Sequence, residues 1–441
     1  MTPAGYGHRA IWAIALPMII SNLSVPLLGL VDTAVVGHLE GPEYLAAVAV
    51  GATIFSFLFM GLNFLRMGTT GVAAQAIGRD DGSALRTVLG RALLMAAALG
   101  LALIALQIPL GRLALALIAP QPGVGTLAQH YIDVRIWGAL STLGNFVLIG
   151  WFIGAQNARA PLIIMLTTNL TNIVLDISFV VGLNMAVTGV ALASVLGETA
   201  GLMVGALLVA KQLRRHPGNW SFPEIVAWTG IAQLAKINGN IFLRTFALMF
   251  TFGFITAWGA RLGTTILAVN AVLMNFQHLM SYGLDGIAHA AEALVGKAVG
   301  QNQRSAVQAA VRGTLAWSAL FGFAFAAVFA VAGTGLVSIL TDLDSVRQSA
   351  EDYLPWLVLS PLVSLWSFAY DGIFIGATRA REMRNAMVFS TLFVFLPACY
   401  LFSGWGNHGL WLAFTLFMLS RAITMALLWR RIEPSMLGAP G

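Results

Sequence analysis

The sequence predicts an all-α polytopic membrane protein, with twelve transmembrane helices in two pseudo-twofold-related six-helix bundles. Three observations carry that prediction. The first is composition: of 441 residues, 58% are hydrophobic and only 10% are charged, where a soluble chain carries roughly 25% charged residues. The second is segment length and period. Apolar runs exceeding the roughly 20 residues that a helix needs to cross a bilayer core recur along the chain, without the every-second-residue alternation of barrel strands. The third is an internal repeat at a constant offset of 222 residues.

Taken in order, the predicted helices lie near 10–37, 44–77, 88–118, 126–156, 160–183, 187–210, 228–259, 265–298, 307–340, 348–378, 385–404 and 407–429. The first apolar run, 11–36, is too long for the h-region of a signal peptide and has no A-x-A-like site after it. It is expected to remain as a signal-anchor helix. Gly and Pro are frequent inside the segments, which lipid tolerates where neighbouring helices satisfy the freed backbone groups. Loop charges set the orientation. With twelve spans, sixteen Lys and Arg residues fall on the side that holds both termini, and only Arg112, Arg261 and Arg347 fall on the other. By the positive-inside rule both termini are expected to be cytoplasmic, in a bacterial cytoplasmic (inner) membrane. That distribution explains the net charge of +6 without a nucleic-acid partner.

The repeat sets the domain organisation. Shifted by 222, "GWFIGAQNARA" (150–160) falls on "GIFIGATRARE" (372–382) with seven of eleven positions identical, and "LAAVAV" (45–50) falls on "LAVNAV" (267–272). One offset through separate blocks argues for duplication. Six spans per half is an even number, so both halves have the same orientation and are expected to be related by an axis along the membrane normal. The expected boundaries are an N-terminal bundle at 1–210, a polar linker "KQLRRHPGNWSFP" at 211–223 and a C-terminal bundle at 224–441.

Catalytic signatures are missing. The single cysteine, Cys399, rules out an intramolecular disulfide and a thiolate metal cluster. There is no H-E-x-x-H motif and no nucleotide-binding glycine loop. "GRDDGSA" (78–84) has adjacent acids but no further acid repeat to hold Mg²⁺. No enzymatic activity, no cofactor and no metal centre is expected.

The polar residues inside the spans are therefore informative. Asp32 is the only ionisable residue between positions 11 and 36, and a carboxylate there costs about 2.5–3.5 kcal/mol on insertion scales, so it should face protein or a wet cavity. In the fifth span Asn169, Asn172 and Asp176 stand at i, i+3 and i+7, on one helix face. Pro17 and Pro26 lack N–H donors and are candidate bending points of the first helix. Lys236, Asn240 and Arg244 form a stripe in the seventh span, and Asp285, His289 and Glu292 form one in the eighth, with Asp371 in the tenth. Unpaired charges are costly in a low-dielectric interior, so a C-terminal polar network is expected, either holding the bundle together or serving as a second proton or substrate site. Glu198, Arg66, Arg135 and Arg421 are further intramembrane charges whose role spacing leaves open.

"ALPMIISNLSVPLLGLVDTAVVGHL" (15–39), with Pro17 fifteen residues before Asp32, resembles the first helix of MATE multidrug and toxic-compound extrusion transporters. "LDGIAHAAEALVGKAVGQ" (284–301) and "DGIFIGATRAREMRNAM" (371–387) are similar to the DinF-like branch in particular. The resemblance covers essentially the whole chain. It implies an antiporter that exports small amphipathic or cationic organic compounds against inward flow of H⁺ or Na⁺, acting as a monomer among membrane lipids. It also implies that Asp32 and Asp176 lie together in the N-terminal bundle as ion-coupling residues. Asn172, Asn169 and Ser194 are then the neutral groups beside them. The DinF likeness leans to H⁺; a Na⁺ site at Asp32, Asn172 and Asp176 is the alternative. A lipid-linked precursor flippase of the same superfamily is the competing reading, since Lys236 and Arg244 suit phosphate groups.

Overall fold

The computed structural model describes residues 5–37 and 41–436. His38 and Leu39, the end of the first family-like motif, lie outside the described residues. Among the described residues every regular element is helical. We label the long helices α1 (His8–Val36), α2 (Pro42–Gly78), α3 (Gly82–Ala105), α4 (Gly123–Gly154), α5 (Arg159–Gly182) and α6 (Ala186–Leu213). The second half continues with α7 (Trp228–Arg261), α8 (Thr264–Gly300), α9 (Arg304–Leu340), α10 (Asp344–Gly376), α11 (Ala380–Leu401) and α12 (Ser403–Pro434). Eleven of these are long and apolar enough to span a bilayer. The other, α8, is 37 residues long and falls below that apolarity because it carries Asn270, Gln277, His278, Asp285 and Glu292. The chain is an integral multi-pass membrane protein.

By contacts it divides into two compact units, Ile20–Ala235 and Met1–Ile19 with Lys236–Gly441. The first therefore holds the larger part of α1 with α2–α6, and the second the larger part of α7 with α8–α12. This division differs from the one expected at 210 and 224. The stretch 211–223 is not a free tether. Helix α6 runs through Leu213, and the residues beyond it are clasped by α3. Arg86 donates to the carbonyls of Leu213 (3.0 Å) and His216 (2.7 Å), and Ser83 Oγ accepts from the Asn219 N–H (2.9 Å). The adjacent acids at the start of α3 have local roles. Asp80 takes a left-handed turn (φ 54°), and Asp81 caps the helix by accepting from the Ala84 N–H at 2.8 Å.

The repeat is visible in the backbone. Helix ends Gly78 and Gly300, and Gly154 and Gly376, are each 222 residues apart, and so are the left-handed residues Asp80 and Asn302, and Gln156 and Thr378. Close helix approaches repeat as well. A Cβ on Gly150 would collide with the Arg66 carbonyl oxygen, and one on Gly372 would collide with that of Ala288. Small residues are what let backbones meet in lipid, where no hydrophobic force drives helices together. In the N-terminal unit the same device brings α6 onto α5. Gly197 packs on the Thr168 carbonyl and Gly201 on its hydroxyl, with no room for a side chain at either.

One predicted span is corrected. Residues 88–118 do not form a single helix: α3 stops at Ala105, and a separate short helix covers Gln107–Ile118. Pro109 has no N–H to give the Ala105 carbonyl, so the chain breaks there and restarts with the proline in a first turn. Phe276 and Met280 are core residues of the C-terminal unit. Met60 and Phe250 are exposed.

Candidate functional site

Three helices of the N-terminal unit converge on a carboxyl pair. Helix α1 supplies Asp32, α5 supplies Asn172 and Asp176, and α6 supplies Ser194. The Asp32 and Asp176 carboxyls face each other within hydrogen-bonding reach. Asp176 is fully buried, and its Oδ1 has no donor. Two facing carboxyls need a proton or a cation between them, because like charges in a low dielectric repel strongly. Helix α5 changes character at this point. It is α-helical through Asp176 and then widens to a π-turn over Ile177–Gly182, a distortion common at functional sites.

Asn172 orders the pair. In the amide orientation that satisfies both of its ends, its nitrogen donates to Asp176 Oδ2 at 2.8 Å. Its oxygen accepts from the Ser194 N–H (3.1 Å) and hydroxyl (3.2 Å). Asp176 thus receives a donor from Asn172, while the Asn172 oxygen is occupied by Ser194. Asn169 is not at the pair. It lies two turns away, about 10 Å along the helix, where its amide donates to Ser24 Oγ of α1 at 2.8 Å. Pro17 and Pro26 sit inside α1, which is helical through both.

A second charged cluster adjoins the first. Arg135 of α4 is buried and bonded at both nitrogens to Glu198 of α6, at 3.0 and 2.5 Å. Thr142 donates its hydroxyl to the same carboxylate, and Asn145 donates to the Glu198 carbonyl. The guanidinium also lies over the rings of Phe55 and Phe59, at 5.4 and 5.2 Å. Its charge acts on Asp32 and on Tyr131, one turn earlier in α4. Spacing did not reveal this pairing. The available signal was two opposite charges in spans of the same half.

The C-terminal unit treats its buried acid differently. Both Arg244 of α7 and Arg421 of α12 donate to Asp371 Oδ2, the latter at 2.9 Å. His289 Nδ1 and Glu292 Oε1 are 3.2 Å apart on α8, and Asp285 stands one turn before His289 within reach of the Arg421 charge. Asn240 accepts from Arg384 at 2.6 Å, and the Lys236 side chain is exposed. Arg244 and Asn240 have partners on other helices, Asp371 and Arg384, whereas His289 and Glu292 meet within α8. Arg421 and Arg384 are the partners that spacing did not supply. Among the described residues no group of three or more His, Cys, Asp or Glu side chains is placed to hold a metal.

The MatE family pattern matches residues 17–178 and 241–401, one block in each half. The chain is 44% identical over 430 residues to DNA damage-inducible protein F of Escherichia coli (strain K12), covering 96% of this chain and 92% of that one. It is 26% identical to the multidrug resistance protein MdtK of Edwardsiella ictaluri, over 96% and 95% of the two chains. Among solved structures, a MATE transporter in a bent conformation superposes with a TM-score of 0.89 at 21% identity over 99% of each chain. Family pattern, relatives and fold agree: the chain belongs to the MATE family, in its DinF-like branch.

Proposed function

We propose that this protein is a proton-coupled antiporter that exports amphipathic organic cations across the bacterial cytoplasmic membrane, as a monomer with both termini cytoplasmic. The observation that carries this reading is the facing pair Asp32 and Asp176. Such a pair holds one positive charge comfortably. A proton and an organic cation therefore compete for it, and loading one ejects the other. Coupling requires that the two occupants favour different states of the transporter, since a ligand without differential affinity moves no equilibrium. Helix α1, with Pro17 and Pro26 in its length, is the element whose bending responds to the charge on Asp32.

A single proton shared between the Asp32 and Asp176 carboxyls satisfies the pair without further ligands, whereas a Na⁺ site needs several neutral oxygens aimed at the ion. Export of organic compounds is supported by the multidrug resistance names of relatives over most of the chain. A phosphate-headgroup site in the C-terminal unit is disfavoured, because Arg244 and Arg421 are both engaged by Asp371. The test is ethidium efflux from proteoliposomes under an imposed pH gradient and, separately, under a Na⁺ gradient. Efflux driven by the pH gradient supports the proposal. Efflux driven only by Na⁺ replaces the coupling ion, and none under either gradient overturns antiport.

A further inference from the structure

Glu198 stands one turn along α6 from Ser194, which holds Asn172 at the carboxyl pair, and the Arg135–Glu198 cluster has no task in antiport as proposed. It is also more heavily braced than an ion pair needs for packing alone. The guanidinium is held at two nitrogens by Glu198 and lies over two aromatic rings, while Glu198 is held by Thr142. A Cβ on Gly138 would lie 2.5 Å from Arg135 Nη1 and 3.1 Å from Glu198 Oε2, so the backbone of α4 closes the remaining side. These contacts hold the guanidinium on Glu198, one turn along α6 from the Ser194 that carries Asn172 and Asp176, where its charge reaches Asp32.

An unrestrained arginine here would be a built-in competitor. It carries the same single positive charge as the proton and the organic cation, and it is tethered to the site, so its effective concentration would exceed that of any free ligand. We propose that Glu198 is a positioning residue that keeps Arg135 from acting as an internal surrogate for the transported cation. The inference rests on the coupling role of Asp32 and Asp176. The charged and titratable groups facing Arg135 are Asp32 from α1, Tyr131 from α4 and Glu198 from α6. The charge of Asp176 from α5 reaches the neighbouring Tyr131, and α2 contributes the rings of Phe55 and Phe59.

The experiment is ethidium efflux from proteoliposomes under a pH gradient, for wild type, Glu198→Gln, the charge-balanced pair Arg135→Gln with Glu198→Gln, and Asp32→Asn. Freed from its counter-charge, Arg135 should raise the KM for ethidium about tenfold in Glu198→Gln while kcat changes little. It should also move the acid limb of the pH profile to lower pH, since more protons are needed to displace it. Removing both charges should return KM and the pH profile close to wild type, which a merely structural role would not do. Three results overturn the inference: unchanged KM and pH profile in Glu198→Gln, a loss in kcat alone, or no recovery in the double variant. If Asp32→Asn exports at the wild-type rate, the coupling reading itself falls and this inference falls with it. If Asp32→Asn is inactive and Glu198→Gln is unaltered, only the inference falls.

Discussion

The two halves share a scaffold and differ in how they treat a buried acid. In the N-terminal unit Asp176 faces another carboxyl and has an oxygen without a donor. In the C-terminal unit Asp371 receives two arginines on one oxygen. The first arrangement needs a positive charge from outside the chain, whereas the second brings its own. Around them the packing repeats at an offset of 222 residues, down to the left-handed turns and the glycines against backbone carbonyls. Duplication preserved the frame, and the chemistry diverged within it. Asp32 and Asp176 correspond to Phe254 and Ala398 in the second half, so the carboxyl pair is not part of the repeated text.

The contrast predicts opposite modes of failure. Asp32→Asn should fold normally and lose gradient-driven efflux by at least about a hundredfold, because the exchanged charge has no site. Asp371→Asn should fail in stability first. Removing one partner of a buried ion pair costs about 3–5 kcal/mol, so its melting temperature in detergent should drop before any transport defect can be measured. Equal stability loss in both variants would break the contrast.

The shared frame gives a second comparison of intermediate size. Gly150→Ala and Gly372→Ala each drive a Cβ against a backbone carbonyl. Each should cost about 1–3 kcal/mol by overpacking, with similar shifts in melting temperature. Strongly unequal shifts would show that the two contacts are not equivalent. Within the site, Asn172→Leu should impair coupling more than Asn169→Leu, since the first removes the donor to Asp176 and the second only a tie to Ser24. The KM for ethidium under a pH gradient reads that difference.

The smallest effect concerns the connecting stretch. Burial holds the His216 imidazole below its ordinary pKa, against the attraction of Asp80, and the charges of Arg86 and Arg215 add to the lowering. Its contribution to stability is therefore present above the ordinary histidine value and is lost as pH falls through the lowered one. Melting curves of wild type and His216→Gln should coincide at pH 8 and differ slightly only at acid pH. A difference confined to high pH would reverse the sign.

The parts legible in the sequence were those written in one dimension. Apolar length gave the spans, the constant offset gave the repeat, and the spacing of Asn172 and Asp176 gave a shared helix face. Their meeting with Asp32 came from family likeness, since no spacing relates α1 to α5. What stayed hidden depends on the rotation of one helix against another. Glu198 finding Arg135, and Arg421 joining Arg244 at Asp371, are choices among several intramembrane charges that only packing makes. The placement of Asn169 on Ser24 is of the same kind, because a helix face names neighbours in angle but not in height. The break at Ala105 was the exception, written in Pro109 but overridden by the apolar run around it.

The most direct measurement is proton release on substrate binding. Ethidium is added to saturation to the detergent-solubilised protein in weak buffer, with a pH indicator as the reporter. Wild type should release about one proton per bound ethidium, as reciprocal exclusion at one site requires, and Asp32→Asn should release none. Ethidium binding with undiminished proton release in Asp32→Asn would contradict the carboxyl pair as the exchanging group.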